Sequence, residues 1–130
     1  MIIDTGVFIA MERGALDPDV VLRDEDDPAI AAVAAAELLV GVHHAAGDAR
    51  RKECSQFVER ILEQTPVEDY TTDVARVHAR LMTCVRQQGA PCGAHDLMIA
   101  ATAIATSRTL VTRDTKARFG ELPDVRVREI

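Results

Sequence analysis

At 130 residues the chain has the length of one ordinary domain, enough to bury a core without disulfides or a structural metal, and residues 1–130 are read as a single domain. Hydrophobic residues make up 48% and charged residues 28%, a globular composition in which no apolar run approaches the ~18–20 residues of a membrane span. Fifteen basic against 21 acidic residues leave a net charge of −6, which excludes nucleic-acid binding by bulk electrostatics and requires any such contact to be local.

Met1-Ile2-Ile3 reads as a short strand, Asp4-Thr5-Gly6 as a turn and helix cap, and Val7 to Met11 as a helical run. No basic stretch precedes the apolar start, so a secretory leader is not expected and a cytoplasmic location is. The run Asp24-Glu25-Asp26-Asp27 reads as a solvated loop. After Pro28, Ala29 to Val33 is expected to be a buried strand, followed by an alanine-rich helix through Glu37 and Val42 that ends near Gly47. Alanine favours helix and no Ser, Thr, Asp or Asn marks a cap, so the boundary between the two is open. Ala49 to Gln64 places Phe57, Ile61 and Leu62 on one side of a charged helix that Thr65-Pro66 stops, with a short strand around Val67. Thr72-Asp73 then caps a longer helix in which Val74, Val77, Leu81, Cys84 and Val85 recur at helical spacing as far as Gly89. Beyond Pro91 and Gly93, Asp96 opens a helix carrying Leu97, Ile99, Ala100, Ala103 and Ile104. Thr109 to Thr112 is a β-branched apolar strand, Arg113-Asp114 a turn before a short helix, and Val125 to Arg128 a last alternating strand. Strands alternating with helices predict an α/β sandwich around a mostly parallel sheet.

Asp4-Thr5-Gly6 is also the tripeptide that carries the catalytic carboxylate of aspartic proteases. One copy in a chain of βα pattern lacks the β-rich, two-copy context of that chemistry. Cys54, Cys84 and Cys92 are odd in number and widely spaced, which argues against a disulfide framework, and the half-site from Cys92 to His95 has no second pair to complete a zinc site.

Four acids stand out by place. Asp4 and Asp114 lie at or just past the ends of apolar strands, where open parallel sheets bind ligands. Asp96 begins a helix of core-like residues, and Glu37 interrupts an apolar helix. Each has a plain alternative: caps for Asp4 and Asp96, a turn for Asp114, a solvent-facing position for Glu37. Two carboxylates ~5 Å apart repel by ~3 kcal/mol at an effective dielectric of ~20, so convergence of all four requires a cation. Oxygen-only ligation suits Mg²⁺ or Mn²⁺, and an acidic cluster holding such ions can serve phosphodiester hydrolysis.

Ile3-Asp4-Thr5 with Ile9, Glu37-Leu38 with Gly41, the stretch from Ala94 to Ala103, and Leu110 to Asp114 resemble, in order and spacing, the PIN-domain nucleases, specifically the VapC-type toxins of type II toxin-antitoxin pairs. The resemblance implies a three-layer α/β/α sandwich, usually a homodimer, that cuts RNA such as transfer or ribosomal RNA. It puts the family's acidic quartet, which holds Mg²⁺ or Mn²⁺, on Asp4, Glu37, Asp96 and Asp114. Thr5 and Thr112 match positions whose hydroxyls support the first and last acids. It further implies a cognate VapB-type antitoxin that lays its C-terminal segment along the cleft with a basic side chain toward the acids. Alanines precede Glu37 where relatives often carry Ser or Thr, so a supporting hydroxyl is missing there.

His95 is expected to be structural or solvent-facing, His43 and His44 to lie on the surface, and Asp73 to cap its helix. Arg113, Lys116 and Arg118, beside the last acid, are the expected RNA phosphate contacts, while Arg50-Arg51-Lys52 and the pair Arg76 and Arg80 read as solvated helix faces. One Tyr, three Phe and no Trp leave little for base stacking, so RNA selection is expected to depend on shape. The helix from Ala34 to Val42 carries more apolar residues than one buried face needs, a surplus that would serve a dimer or an antitoxin or be buried whole in this chain's own core. Two other readings stay open: a PIN-like nuclease on single-stranded or flap DNA, and a metal-binding interaction module without catalysis.

Overall fold

Strands of only two or three residues form the centre of the molecule, in a computed structural model that describes residues 1–89 and 92–130. In chain order the elements are β1 (Ile2–Ile3), α1 (Thr5–Glu12), α2 (Pro18–Val21), β2 (Ile30–Ala31), α3 (Ala32–His44), α4 (Asp48–Gln64), β3 (Val67–Glu68), α5 (Thr72–Gln88), α6 (Ala94–Ala105), β4 (Leu110–Thr112) and β5 (Val127–Glu129). Ile2 and Ile3 pair with Leu110 and Val111, Ile30 with Val67, and Leu110 with Val127, all in parallel. A parallel bridge from Ile2 to Ala29 joins the two ladders, so the strand order is β3-β2-β1-β4-β5. Ile2, Ile3, Ile30, Ala31, Leu110 and Val111 have no exposed surface, as continuous apolar strands must when helices cover both faces of a parallel sheet. The result is the α/β/α sandwich expected from the alternation of elements. Chain order reverses between β1 and β4, and the carboxyl ends of strands at such a switch point leave a crevice for ligands.

Several boundaries differ from the sequence reading, each for a local reason. The strand expected over Ala29 to Val33 shrinks to Ile30–Ala31 because the alanines enter α3 directly. α3 stops at His44, and Gly47, at φ 80°, instead precedes α4 in a backbone region that suits glycine. Thr71, not Thr72-Asp73, caps α5: its hydroxyl accepts the Val74 N–H at 3.3 Å, and Asp73 pairs with Arg76 at 2.8 Å. Gly89 ends α5 in the left-handed region, as expected. α6 begins at Ala94 after Gly93, which places Asp96 inside its first turn. The last strand lies one or two residues later than expected. α2 was not foreseen, although Asp17 accepts the Asp19 N–H at 3.0 Å and Pro18 opens the helix, a standard start signal. Pro91, read as part of the break before α6, lies outside the described residues.

The acidic run is more than a solvated loop. Asp27 pairs with Arg108 at 3.1 Å, and Arg108 also pairs with Glu68, tying the loop before β2 to β3 and to the turn after α6. Cys54, Cys84 and Cys92 are free and half-buried. Among the described residues no helix is long and apolar enough to cross a membrane.

Candidate active site

The register of β1 against β4 sets the first two acids. Because Ile3 pairs with Val111, the next residues, Asp4 and Thr112, come side by side, and the Asp4 N–H donates to the Val111 carbonyl at 2.9 Å. Asp4 stands at the N-cap of α1, but its side chain makes no cap bond there. Its Oδ2 instead accepts the Thr112 hydroxyl at 2.7 Å, and that same hydroxyl accepts the Asp114 N–H at 2.9 Å. Asp4 is only 6% exposed and Thr112 only 1%, so one buried hydroxyl links two acids 110 positions apart in numbering. Asp114 is exposed, and its Oδ1 accepts the N–H groups of Lys116 at 2.8 Å and Ala117 at 3.2 Å, so it is a turn residue as well as a strand-end acid.

Glu37 lies in the second turn of α3, which leaves β2 at the same edge of the sheet. Thr5 donates its hydroxyl to Glu37 Oε1 at 3.2 Å, and His95 Nδ1 lies 3.7 Å from Glu37 Oε2. The supporting hydroxyl that the alanines of α3 cannot supply therefore comes from α1. The hydroxyls are thus divided differently from expectation: that of Thr5 bonds Glu37 rather than the first acid, and that of Thr112 serves Asp4 and Asp114 together. His95, 60% exposed, does face solvent, but it also faces Glu37. His43 and His44 are exposed, as expected.

Electrostatics tie the four acids together. Burial pushes the Asp4 carboxyl above the usual Asp range, against the hydrogen bonds from Thr112 and the Thr5 backbone, and the charges of Glu37 and Asp114 push the same way. Burial likewise raises Asp96, followed by the charges of Asp4, Asp114 and Glu37, with His95 opposing. Among the described residues no Lys or Arg forms an ion pair with Asp4, Asp96 or Asp114. The four acids share one field.

Their fit to a cation follows from this donor chemistry. Among the described residues no group of three or more His, Cys, Asp or Glu closes into a ready ligand cage. Uncompensated like charges do not draw together unaided, and Asp4, Glu37 and Asp114 are each held by their own hydrogen bonds. Oxygen-only donors in such an open arrangement suit a hard cation that keeps several waters, which describes Mg²⁺ and Mn²⁺.

Arg113 and Lys116 are exposed and, among the described residues, form no ion pair, whereas Arg118 is engaged by Glu121 at 2.8 Å. Arg50 is not part of a purely solvated face: it pairs with Glu12 at 2.6 Å and ties α4 to the end of α1. Beside this pair runs a groove of about 400 Å³ whose walls include Ile9, Leu38, Phe57 and Val58, with Glu37 among its lining residues. Nothing local in the sequence announces that groove, since its walls come from three helices. Gly93 was read only as a breaker. A Cβ there would come within 2.7 Å of Asp96 Oδ2, and a glycine three residues before an acid was the available signal.

The PIN domain family model matches residues 1–124. The chain is 29% identical to Ribonuclease VapC of Rickettsia bellii over 98% of this chain and 93% of that protein. Among solved structures it is similar to VapBC-5 from Mycobacterium tuberculosis, with a TM-score of 0.79 and 31% identity over 99% of this chain and 97% of the other. It also superposes on VapBC2 from Rickettsia felis, bound to a promoter DNA fragment, with a TM-score of 0.88 over 99% and 97% of the two chains; at 22% identity that likeness shows the fold. A match over almost the whole chain means that this chain belongs to the PIN-domain family as a VapC-type member.

Proposed function

We propose that the chain is the toxin of a toxin-antitoxin pair: a cytoplasmic endoribonuclease, one PIN-like domain over residues 1–130, that hydrolyses phosphodiester bonds in RNA with Mg²⁺ or Mn²⁺ held by Asp4, Glu37, Asp96 and Asp114. The observation that carries this reading is the shared field of the four acids at the switch point of the sheet, with Asp4 and Asp96 raised and no basic partner for either among the described residues. The VapC relatives are named ribonucleases, which supports the same reaction class here.

When bound, the cation supplies Lewis-acid activation of water and positive charge for the phosphate. The chain's own residues set the geometry. Thr112 fixes Asp4 through Oδ2, and Thr5 fixes Glu37 through Oε1, so neither carboxylate swings freely. Two backbone N–H groups hold Asp114 Oδ1. Arg113 and Lys116 supply local positive charge for RNA phosphates, and Arg118 joins them on release from Glu121. The apolar groove that reaches Glu37 fits an antitoxin segment with apolar side chains and a basic residue for the acids, in keeping with the VapBC complex of the M. tuberculosis relative. The toxin is a homodimer in this reading.

The test uses purified, antitoxin-free protein with RNA and DNA of matched sequence, with Mg²⁺ or with chelator. RNA is expected to be cut only with metal, and Asp4→Asn to lose more than about 100-fold in turnover, since even outer partners of a metal site are worth ~10–100-fold. Cleavage of DNA alone would move the substrate to flaps or single strands. Intact RNA and DNA with metal present would leave a non-catalytic module.

A further inference from the structure

Three of the four acids are held by hydrogen bonds: Asp4 by Thr112, Glu37 by Thr5, and Asp114 by two backbone N–H groups. Among the described residues Asp96 accepts none, which raises the question of how its carboxylate is placed. Its surroundings supply one answer. An ideal Cβ built on Gly93 would lie 2.7 Å from Asp96 Oδ2, 3.4 Å from its Cγ and 3.9 Å from its Cβ. The carboxylate folds back over the start of α6 into space that any other residue at position 93 would fill.

Neither backbone nor core packing asks for glycine at this position. Its φ of −58° and ψ of 144° are open to every L-residue. Gly93 is exposed, and the three nearest heavy atoms a Cβ would meet among the described residues all belong to Asp96. As an N-cap, glycine is no better than threonine and weaker than serine, so helix stability does not select it either. Among those nearest atoms, the carboxylate oxygen is the one too close for a Cβ to be added without a shift.

We propose that Gly93 is a positioning residue of the active site, whose missing side chain is the space that holds the Asp96 carboxylate within the acidic cluster. The inference rests on the reading of Asp96 as a cation ligand. A Cβ at position 93 would sit 2.7 Å from Oδ2, closer than real Cβ atoms come to a neighbour, so the carboxylate must give way, by 0.7 Å if it is to reach the 3.4 Å of an ordinary contact. Outer residues that orient ligands typically govern ~10–100-fold in metal affinity.

Calorimetric titration of Mn²⁺ into the metal-free, antitoxin-free chain tests this with Gly93→Ala and Gly93→Ser. Both are expected to bind Mn²⁺ ~10–100-fold more weakly than wild type. Serine is the better cap, so Gly93→Ser keeps or raises the metal-free Tm while still losing affinity, a split that a purely structural glycine would not give. Gly120→Ala, where a Cβ meets nothing within 4 Å, should leave affinity unchanged. In an Asp96→Ala background the Gly93→Ala change should have no further effect, because its route runs through that carboxylate. Wild-type affinity in both Gly93 variants, or an undiminished effect of Gly93→Ala without Asp96, would overturn the inference. If wild type itself binds no Mn²⁺, the cation reading fails on its own account. Crystal structures of wild type and Gly93→Ser then decide: an Asp96 carboxylate displaced away from position 93 supports the role of Gly93, and one left in place overturns it.

Discussion

Thr112 joins two acids through a single oxygen, donating to Asp4 Oδ2 and accepting the Asp114 N–H. Thr112→Val keeps the shape and the β-branched preference of β4 but removes both bonds, leaving a buried carboxylate and an N–H without their partner. It is expected to cost ~1–3 kcal/mol in urea unfolding and ~10–100-fold in Mn²⁺ affinity, with Thr112→Ser restoring most of both. Asp4 could be found in the sequence because an acid directly after an apolar strand and before a helical run has a legible place. The partner of Thr5 could not, because its hydroxyl bonds a residue 32 positions away on another helix.

Among the elements, α5 was the most legible and α2 the least. Val74, Val77 and Leu81 repeat at helical spacing and are buried, Thr71 starts the helix and Gly89 stops it. Leu81 is 2% exposed, so Leu81→Ala is expected to cost ~2–5 kcal/mol in denaturant unfolding. Mn²⁺ affinity measured well below the transition should not change, since α5 carries none of the four acids. α2 has only four residues, too few for a periodic pattern to show, and its only signal was the Asp17-Pro18 start. On α4 the reading found the right side of the helix: Ile61 is buried and Phe57 and Leu62 are half-buried. It missed Val58, which is buried with them.

For the molecule as a whole, the buried acids link stability to pH and, under the proposed function, to metal. Asp4 and Asp96 are raised in the folded protein, so between the ordinary Asp value of 3.8 and their folded values the native state binds more protons than the unfolded state. The stability of the metal-free protein therefore falls as pH rises through that window. Metal-free Asp96→Asn is expected to be more stable than wild type at neutral pH, and the gap should close as pH falls toward 3.8, as thermal melts across that range would show. Added Mn²⁺ should reverse the order, since a ligand at 100 times its Kd stabilises the native state by ~2.7 kcal/mol. With a net charge of −6, RNA binding under the proposed function would depend on a few local contacts. Lys116→Ala should lower the slope of log affinity against log salt by ~0.7 for a single strand, in filter-binding titrations of the inactive Asp4→Asn protein.

The sequence by itself determined the order of the strands and of the helices other than α2, and the parallel α/β class, and it singled out four acids as residues out of place, because hydrophobic period, turn residues and strand ends are local properties of the chain. Only the tertiary structure decided that the chain order reverses between β1 and β4, that Thr5 supports Glu37, that Thr112 bridges Asp4 and Asp114, and that Gly93 leaves room for Asp96. Those facts depend on strand register and on distances between segments far apart in the chain, and no short-range pattern encodes such distances.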